Sequence, residues 1–432
     1  MRLGCDYSTI NTHHSTLLFN THHATLYKMK SGFKTLLKEH ALYPQEALEK
    51  VKSNKNALYI GIPKEMDPTE SRVCLTPESV GILVNNGCEI LVETGAGAGA
   101  KYTDREYSDA GARIVYSTSE VYDADIIIKV DPPTKEEMTY MKPGKTLMSA
   151  LQMAKLTGEY LDAITKNKIN AIAFEFIEDK AGTRPIVRAM SEICGSTVML
   201  IAGEYLNSVN NGRGIILGGI TGVPPTKVVI IGAGTVAEYA TRSAIGLGAE
   251  VKVFDNHIYK LRRLKLSINH HIYTSVIDTN ILSDALKEAD VVIGALRSED
   301  GKCECVVSEE MVTSMKPSSV IIDVSIDQGG NFATSQISTH KKPTYIKYGV
   351  IHYCVPNMAS RVARTATMAF SNILTPMLIQ MSQNGGVEEM LFAKKWLMNG
   401  VYAYKGTLTN LALARKYNKV FKDISLLFTA SN

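Results

Sequence analysis

The sequence predicts an α/β protein made of two domains, each built on a parallel sheet, with a cleft between them. Short apolar strands alternate with helical segments over most of the chain, which is typical of parallel sheets joined by crossover helices. A glycine-rich turn directly follows the buried strand Val228–Ile231 and opens a helix. From Arg361 onward the pattern is helical without strand alternation, so we expect C-terminal helices that return to the first domain.

The length and composition of the chain exclude several classes of protein. The 432 residues suffice for two or three domains, and 45% of them are apolar, so large cores can form. The near balance of 47 Lys and Arg against 43 Asp and Glu argues against nucleic acid or a membrane surface as a partner. The apolar runs are also too short and too interrupted to cross a bilayer.

The seven cysteines are scattered, which suits a cytoplasmic enzyme. Only Cys303 and Cys305 lie close together, and without a second pair an ordinary thiol pair is favoured over a zinc site. Residues 1–28 contain the direct repeat NTHHSTL and NTHHATL without apolar periodicity. We expect residues 1–28 to form a disordered leader, with Met29 as an alternative start of translation, and we predict no metal ligands.

The first domain is expected to span residues 29–187 together with residues 361–432. Its predicted strands are Ala57–Ile62, Glu89–Val92, Asp125–Val130, Thr146–Leu151 and Ala171–Phe176. Thr76, Pro77 and Glu78 supply an N-cap, a first-turn proline and an early acid, and together they start a helix. Since this domain lacks a glycine fingerprint, we expect it to hold the substrate.

The second domain is expected to span residues 188–360 and to begin with a long helix at Arg188–Asn207. A Gly- and Pro-rich run then leads into the first strand and marks a boundary. The predicted strands are Val228–Ile231, Val251–Phe254, Val291–Leu296, Val320–Val324 and His352–Val355.

The turn after the first of these strands has the spacing of a dinucleotide-binding motif. Gly232 permits a tight turn, and Gly234 lets backbone amides approach a pyrophosphate at the helix N-terminus. Asp255 ends the next strand, 23 residues after Gly232, where a carboxylate can accept hydrogen bonds from an adenosine ribose. The motif predicts a Rossmann-like domain that binds a dinucleotide; a glycine turn in a nucleotide-free domain is the weaker alternative. The cofactor-binding candidates here are Gly232, Gly234, Thr235, Val236 and Asp255.

The same carboxylate indicates which dinucleotide binds. Asp255 would repel the 2′-phosphate of NADP, so NAD is the expected cofactor. Arg262 and Arg263 follow a further two helical turns on, and this separation is too large for them to be assumed phosphate ligands.

Four polar residues stand at or just after the ends of predicted strands: Arg72, Lys129, Gln152 and Asp327. Ligands of open α/β sheets gather at the carboxyl ends of the strands. Arginine can clamp a carboxylate, lysine can polarise a carbonyl, and a carboxylate can act as a base. Position alone does not require a functional role for any of them. Arg72 and Lys129 could be ordinary solvated charges, Asp327 could cap a turn, and Gln152 could be a structural residue.

Several blocks, read together, are more specific than any single motif. They include GIPKE at Gly61–Glu65, RVCLTP at Arg72–Pro77, LGGITGVPPTKVVIIGAGTV, VSIDQGG and RTATMAFSN, over roughly residues 57–380. The chain thereby resembles the family of alanine dehydrogenases and transhydrogenase α subunits, and alanine dehydrogenases most closely. The resemblance implies reversible NAD-dependent oxidative deamination of L-alanine to pyruvate and ammonium by a cytoplasmic homo-oligomer with Rossmann-like domains.

The resemblance also implies roles for individual residues. Arg72 and Lys129 match the residues that hold the substrate carboxylate and keto group, and Asp327 matches the catalytic aspartate. The positions that match cofactor contacts are Ser191, Asp255 and Asn357.

Gln152 departs from the family, because it stands where alanine dehydrogenases have a catalytic histidine. An amide cannot shuttle a proton near neutral pH, so Asp327 and Lys129 are the only titratable members of the predicted cluster, and Asp327 becomes the expected base. Transhydrogenase α subunits have Gln at this place and move only hydride. A transhydrogenase-like hydride carrier, a related imino-acid reductase and a catalytically silent NAD-binding protein therefore stay open as alternatives.

Overall fold

The computed structural model describes residues 57–153, 155–297 and 303–429, so the expected leader and Met29 lie outside the described residues. The chain folds around an eight-stranded and a seven-stranded sheet, both mostly parallel. The predicted α/β class with two Rossmann-like domains is confirmed.

The first sheet receives its first six strands from the N-terminal half. These are β1 (Tyr59–Ile62), β2 (Glu89–Glu93), β3 (Arg113–Val115), β4 (Ile126–Ile128), β5 (Thr146–Ser149) and β6 (Asn170–Ala173), and all pair in parallel. The central strands β4 and β5 are buried along their whole length, as expected of strands covered on both faces. The connecting helices are α1 (Pro77–Asn85), α2 (Asp104–Asp109), α3 (Thr118–Val121), α4 (Glu137–Tyr140) and α5 (Gly158–Lys166).

Helix α6 (Pro185–Leu206) leads from the first sheet to the second. Its Ile186 belongs to the first core, whereas its later turns, from Cys194 to Leu206, belong to the second. The helix is long and apolar enough to cross a membrane, with a mean hydropathy of 1.4 over an 18-residue window. A helix buried in a protein core has the same composition, so its position in two cores accounts for this feature.

The second sheet contains β7 (Lys227–Ile231), β8 (Glu250–Phe254), β9 (Tyr273–Ser275), β10 (Val291–Gly294), β11 (Val320–Asp323), β12 (Thr344–Lys347) and β13 (Val350–Tyr353). Their spatial order is β12-β13-β11-β10-β7-β8-β9, and only β12 runs antiparallel to its neighbour. The helices are α7 (Thr235–Gly246), α8 (Ile258–Ile268), α9 (Thr279–Glu288) and α10 (Glu309–Thr313). The order changes direction at β7, and this is where α/β sheets bind ligands.

The tail returns to the first domain, as predicted, but it is not purely helical. It contains α11 (Ala363–Gln383), α12 (Val387–Ala393), α13 (Lys395–Met398), β14 (Val401–Tyr404), β15 (Thr407–Leu408), α14 (Leu411–Lys416) and α15 (Ile424–Thr429). Strand β14 lies between β6 and β15, antiparallel to both, and all four of its residues are buried. The expectation of a tail without strands is therefore wrong. A strand buried on both faces has no polar alternation by which the sequence could reveal it.

Candidate active site

The glycine turn after β7 is shaped for a dinucleotide. Gly232 has φ 112°, and a Cβ there would lie 2.6 Å from the carbonyl oxygen of Ala295. Gly234 directly precedes α7, and a Cβ there would meet nothing within 4 Å. The first helical residues, Thr235 and Val236, therefore start at an open helix N-terminus with unpaired backbone amides, the environment that a pyrophosphate prefers.

Asp255 is buried directly after β8 and holds the turn together. Its Oδ2 accepts the Ala233 N–H at 2.7 Å, and its Oδ1 accepts the His257 N–H at 2.7 Å. Oδ1 also lies 3.0 Å from His257 Nδ1, so Oδ2 is the oxygen that keeps a lone pair for a ribose hydroxyl. Arg263 reaches back from α8 and donates to the Ala233 carbonyl at 3.3 Å. Although Arg263 follows Asp255 by two helical turns, it contacts the glycine turn, because α8 folds back over that turn.

Ser191 and Asn357, the other two predicted cofactor contacts, lie in different elements. Ser191 lies in α6 and donates to the Val187 carbonyl at 2.7 Å. One turn later, a Cβ on Gly195 would lie 2.3 Å from the Val236 carbonyl oxygen, so α6 crosses α7 closely near the glycine turn. Asn357 follows β13 in a left-handed conformation with φ 59°.

Arg72 forms a buried ion pair that connects the two halves of the molecule. Its Nε donates to Glu70 Oε1 at 2.7 Å, and its Nη2 donates to Glu70 Oε2. Asn357 Nδ2 also donates to Glu70 Oε2, at 2.8 Å. Burial opposes ionisation of Glu70, but the charge and hydrogen bonds of Arg72 and the hydrogen bond from Asn357 together outweigh burial and lower the pKa of Glu70. Of the guanidinium nitrogens, Nη1 is not bound to Glu70; it lies 3.4 Å from Met190 Sδ.

Lys129 is 1% exposed just beyond the end of β4 and lies between two carboxyl groups. Its Nζ donates to Glu137 Oε1 at 2.6 Å and lies 3.7 Å from Glu65 Oε2. Burial raises the pKa of Glu65 to about 8, although Lys129 opposes this shift. Glu65 is therefore mainly protonated at neutral pH, and Glu137 is the counter-ion of the ammonium.

Gln152 stands after β5 in a left-handed conformation, with φ 48°. The buried Glu175 carboxylate holds this backbone by accepting the N–H groups of Leu151 and Gln152. The side-chain amide of Gln152 donates from Nε2 to Asp131 Oδ1. Burial, reinforced by the negative charge of Glu70, raises the pKa of Asp131 to about 6.

Lys129, Asp131 and Gln152 line one cavity of about 500 Å³ at the carboxyl ends of β4 and β5. A volume of this size suits a small ligand. Much of the remaining wall is apolar, formed by Met66, Pro132, Pro133, Met138, Leu151 and Leu156.

Asp327 lies apart from this cavity, in the turn that follows β11 in the second domain. Its Oδ2 accepts from Arg297 Nη2 at 3.1 Å, and its side chain is 42% exposed. Arg297 connects it to the first domain electrostatically, because the Arg297 charge opposes the rise that burial causes in the pKa of Glu175. Glu175 in turn supports the backbone of Gln152.

His340 and His352 are two of the histidines in the second domain. His352 is fully buried, bonded through Nε2 to Thr334 Oγ1 and through Nδ1 to the Val350 carbonyl. Burial lowers its pKa to about 4, so it is a neutral structural residue. Burial and the charge of Arg361 both lower the pKa of His340.

The thiols that suggested a zinc site have backbone partners. Cys303 Sγ donates to the Leu296 carbonyl at 3.0 Å, and Cys305 Sγ donates to the Val307 carbonyl at 3.6 Å. Among the described residues, no group of three or more His, Cys, Asp or Glu side chains is arranged to hold a metal ion.

The expectation that Asp327 and Lys129 are the only titratable members of the cluster is wrong. Glu65 and Glu137 flank Lys129, Glu70 pairs with Arg72, and Asp131 pairs with Gln152. Asp131 could have been found from the sequence, because it follows the β4 strand by three positions, at the strand end where ligands bind. Glu65 lies in the GIPKE block itself.

Two family profiles match the chain. The profile described as "Alanine dehydrogenase/PNT, N-terminal domain" covers residues 61–194, and that described as "Alanine dehydrogenase/PNT, C-terminal domain" covers residues 198–411. A Staphylococcus aureus protein described as alanine dehydrogenase 2 is 39% identical over 369 residues, which are 84% of this chain and 98% of the relative.

Solved structures match over the same extent. A structure described as an L-alanine dehydrogenase superimposes with a TM-score of 0.77 at 33% identity, over 83% of this chain and 99% of the other. A transhydrogenase from Sinorhizobium meliloti gives a TM-score of 0.70 at 24% identity, over 82% of this chain and 99% of the other. At that identity the second similarity is one of fold alone.

Proposed function

This chain belongs to the alanine dehydrogenase/PNT family, and we propose that it catalyses the reversible NAD-dependent oxidative deamination of L-alanine to pyruvate and ammonium in the cytoplasm. One observation carries the proposal: the buried Lys129 ammonium faces a small cavity at the carboxyl ends of the strands, close to Arg72. Arg72 does not line this cavity, but its charge acts on Asp131, which does, so a small substrate with a carboxylate would bind near two buried cations. The relatives described as alanine dehydrogenases support alanine as that substrate.

Arg72 and Lys129 would bind the two oxygen-bearing ends of the substrate. Glu70 occupies Nε and Nη2 of Arg72, so the substrate carboxylate would approach from the Nη1 side. Glu70 thereby fixes the guanidinium in place before the substrate arrives. The Lys129 ammonium, held by Glu137, would donate a hydrogen bond to the keto oxygen as the carbonyl forms.

The second domain has the features that NAD requires. The open space at Gly234, the free N-terminus of α7 and the buried Asp255 carboxylate suit a pyrophosphate and a ribose respectively. Bound NAD would accept the hydride from the substrate Cα. The chain's own task is to orient the substrate, exclude bulk water and move protons.

We propose that Asp327 activates, and Gln152 positions, the water that attacks the iminium carbon. Asp327 would approach from the second domain, opposite the cavity, and its negative charge would help to activate the water. The Gln152 amide is a hydrogen-bond donor and acceptor on a backbone fixed by Glu175, and it would position the water without taking its proton.

Gln152 also favours a second candidate, a hydride carrier that resembles a transhydrogenase α subunit. Hydride exchange between two nicotinamides needs no proton shuttle, so an amide in place of a histidine suits it. A catalytically silent NAD-binding protein is the third possibility. The buried Arg72 and Lys129 favour the deaminase, because neither of the other two functions requires cations at this cavity.

The test is NADH formation with purified protein across a panel of L-amino acids, together with hydride exchange between NADH and an acetylpyridine analogue of NAD. We expect NADH formation to be fastest with L-alanine. Exchange without amino-acid oxidation would identify a hydride carrier. NAD binding without either reaction would identify a silent binding protein, and both outcomes would overturn the proposal.

We further propose that the chain is a homo-oligomer. An apolar groove lies beside the exposed face of α6, and its walls include the solvent-exposed side chains Leu200, Ile216 and Leu247. Contiguous exposed apolar surface of this kind is typical of a protein–protein contact. Size-exclusion chromatography with light scattering would give the number of subunits. A monomer at micromolar concentration would contradict the proposal.

A further inference from the structure

We propose that Asp131 is the general base that takes the water proton during deamination, the role that the Gln152 amide cannot fill. This inference rests on the proposed function and adds to it a catalytic residue. It derives from the arrangement of Asp131, Gln152 and Lys129 around one cavity.

Geometry places Asp131 where a base is needed. Its carboxylate is 8% exposed, lines the cavity, and receives the Gln152 amide on Oδ1. Oδ2 accepts no hydrogen bond from any of the described residues 57–153, 155–297 and 303–429. A water held by the Gln152 side chain would therefore lie beside a carboxylate oxygen with free lone pairs.

The electrostatic surroundings suit proton transfer near neutral pH. Burial and the charge of Glu70 raise the pKa of Asp131 to about 6, whereas Arg72 and Lys155 lower it. A general base is most effective when its pKa lies near the working pH, which an ordinary exposed aspartate does not provide. The charged and titratable groups that face Asp131 are Glu65, Asp67, Glu70, Arg72 and Lys155.

The proton can be followed through both steps. After hydride loss to NAD, the water oxygen bonds to the iminium carbon, the C=N π pair becomes the nitrogen lone pair, and one water proton passes to Asp131. Asp131 then returns this proton to the amino nitrogen. The C–N bond breaks with its electron pair on nitrogen, the C=O bond forms from the hydroxyl O–H pair, and the hydroxyl proton leaves to solvent.

The main experiment is the pH profile of alanine oxidation by the wild type and by Asp131→Asn. The base is active when ionised, so the wild-type kcat/KM should rise through about pH 6 and then level off. Asp131→Asn should lower kcat by about 10²–10⁴-fold and remove this acidic limb, while NAD affinity stays unchanged. Asp131→Glu keeps a carboxylate and should keep an acidic limb at reduced activity.

A second variant restores a base at the neighbouring position. In the Asp131→Asn background, Gln152→His supplies an imidazole. We expect kcat to recover at least tenfold, and the acidic limb of the pH profile to follow the titration of that imidazole. A purely structural role for Asp131 predicts no recovery that follows the titration of an imidazole, because a structural contact does not depend on a base that accepts a proton.

Asp290→Asn is the matched control. Asp290 is as buried as Asp131, at 6% exposed, but it directly precedes β10, at the amino ends of the strands of the second sheet, where it pairs with Lys316. We expect an unchanged kcat/KM and an unchanged pH profile. A loss equal to that of Asp131→Asn would show that removing any buried carboxylate impairs the protein, and would refute the assignment.

The outcomes separate this inference from the proposed function. If the wild type oxidises alanine and folded Asp131→Asn keeps both its rate and its acidic limb, the deaminase stands and Asp131 is not its base. If the wild type oxidises no amino acid, both proposals are wrong. If Asp131→Asn does not fold, Asp131→Glu decides: a profile without an acidic limb would refute the role.

Discussion

Replacing Arg72 by methionine should reduce both substrate binding and stability, and the structure predicts how the two effects separate. Arg72 makes three contacts with Glu70: the Nε and Nη2 bonds and a backbone N–H bond of 2.9 Å to Glu70 Oε1. The Glu70 side chain is fully buried, so Arg72→Met leaves a carboxylate without its counter-ion. Methionine keeps an unbranched apolar stem beside Phe370, whose ring centre lies 5.6 Å from the guanidinium.

The size of each effect follows from this pairing. Removing one partner of a buried ion pair typically costs about 3–5 kcal/mol of unfolding free energy. Arg72→Met/Glu70→Gln removes both charges together and should recover most of that loss. Loss of a charge-assisted bond to the substrate carboxylate should cost about 2–4 kcal/mol in kcat/KM, or roughly 30- to 1000-fold, in the single and the double variant alike.

Urea unfolding at pH 7 measures the stability, and kcat/KM for alanine under folding conditions measures the binding. Arg105→Met is the control, because its pair with Asp109 is exposed and should not change either quantity. A double variant as unstable as the single one would show that the charge left on Glu70 is not the cause. A wild-type kcat/KM in Arg72→Met would show that Arg72 does not hold the substrate.

Four further predictions concern the cofactor, the proton and the core. Asp255 should make kcat/KM higher with NAD than with NADP, and equal values would contradict its assignment. Asp327→Asn should lower turnover about 10²-fold while NAD still binds, and an unchanged rate would remove Asp327 from the mechanism. Gln152→Ala should reduce turnover less than Asp327→Asn, and Gln152→His should add a pH dependence near that of an imidazole; a flat profile would contradict this. The raised pKa of Glu65 lies above its unfolded value of 4.5, so unfolding free energy should fall as pH rises from about 4.5 to 8, and Glu65→Gln should flatten this fall in urea titrations at several pH values.

The centres of both sheets were predictable from the sequence, whereas most of the edges were not. Strands such as β4 and β10 are continuous runs without polar side chains, as expected of strands covered on both faces. The unpredicted β3, β9, β12 and β15 are all short and lie at the edges of the sheets. An edge strand has a neighbour on one side only and is partly exposed, so its side chains carry little pattern.

The residues of the candidate site also divide into those that the sequence predicts and those that it does not. Arg72, Lys129 and Gln152 follow strands, and the rule for carboxyl ends finds them from one sequence. The rule does not predict which side chains these residues contact. Asn357 reaches Glu70 across 287 positions of the sequence, and Arg263 reaches the glycine turn only because α8 folds over it. Contacts between loops depend on how the elements pack, and no local pattern encodes them.

The charges at the cavity indicate which of the possible reactions the chain is built for. Burying Arg72 and Lys129 costs desolvation energy, which Glu70 and Glu137 largely offset. Hydride exchange between two dinucleotides places no anion at this position and needs no such cations. The proposed amino-acid substrate would place its carboxylate near Arg72 and develop a carbonyl near Lys129, so each cation would gain a partner in addition to Glu70 or Glu137. Gln152 alone is compatible with either chemistry, but Gln152 bonded to a buried Asp131 near two cations supports the proposed deaminase.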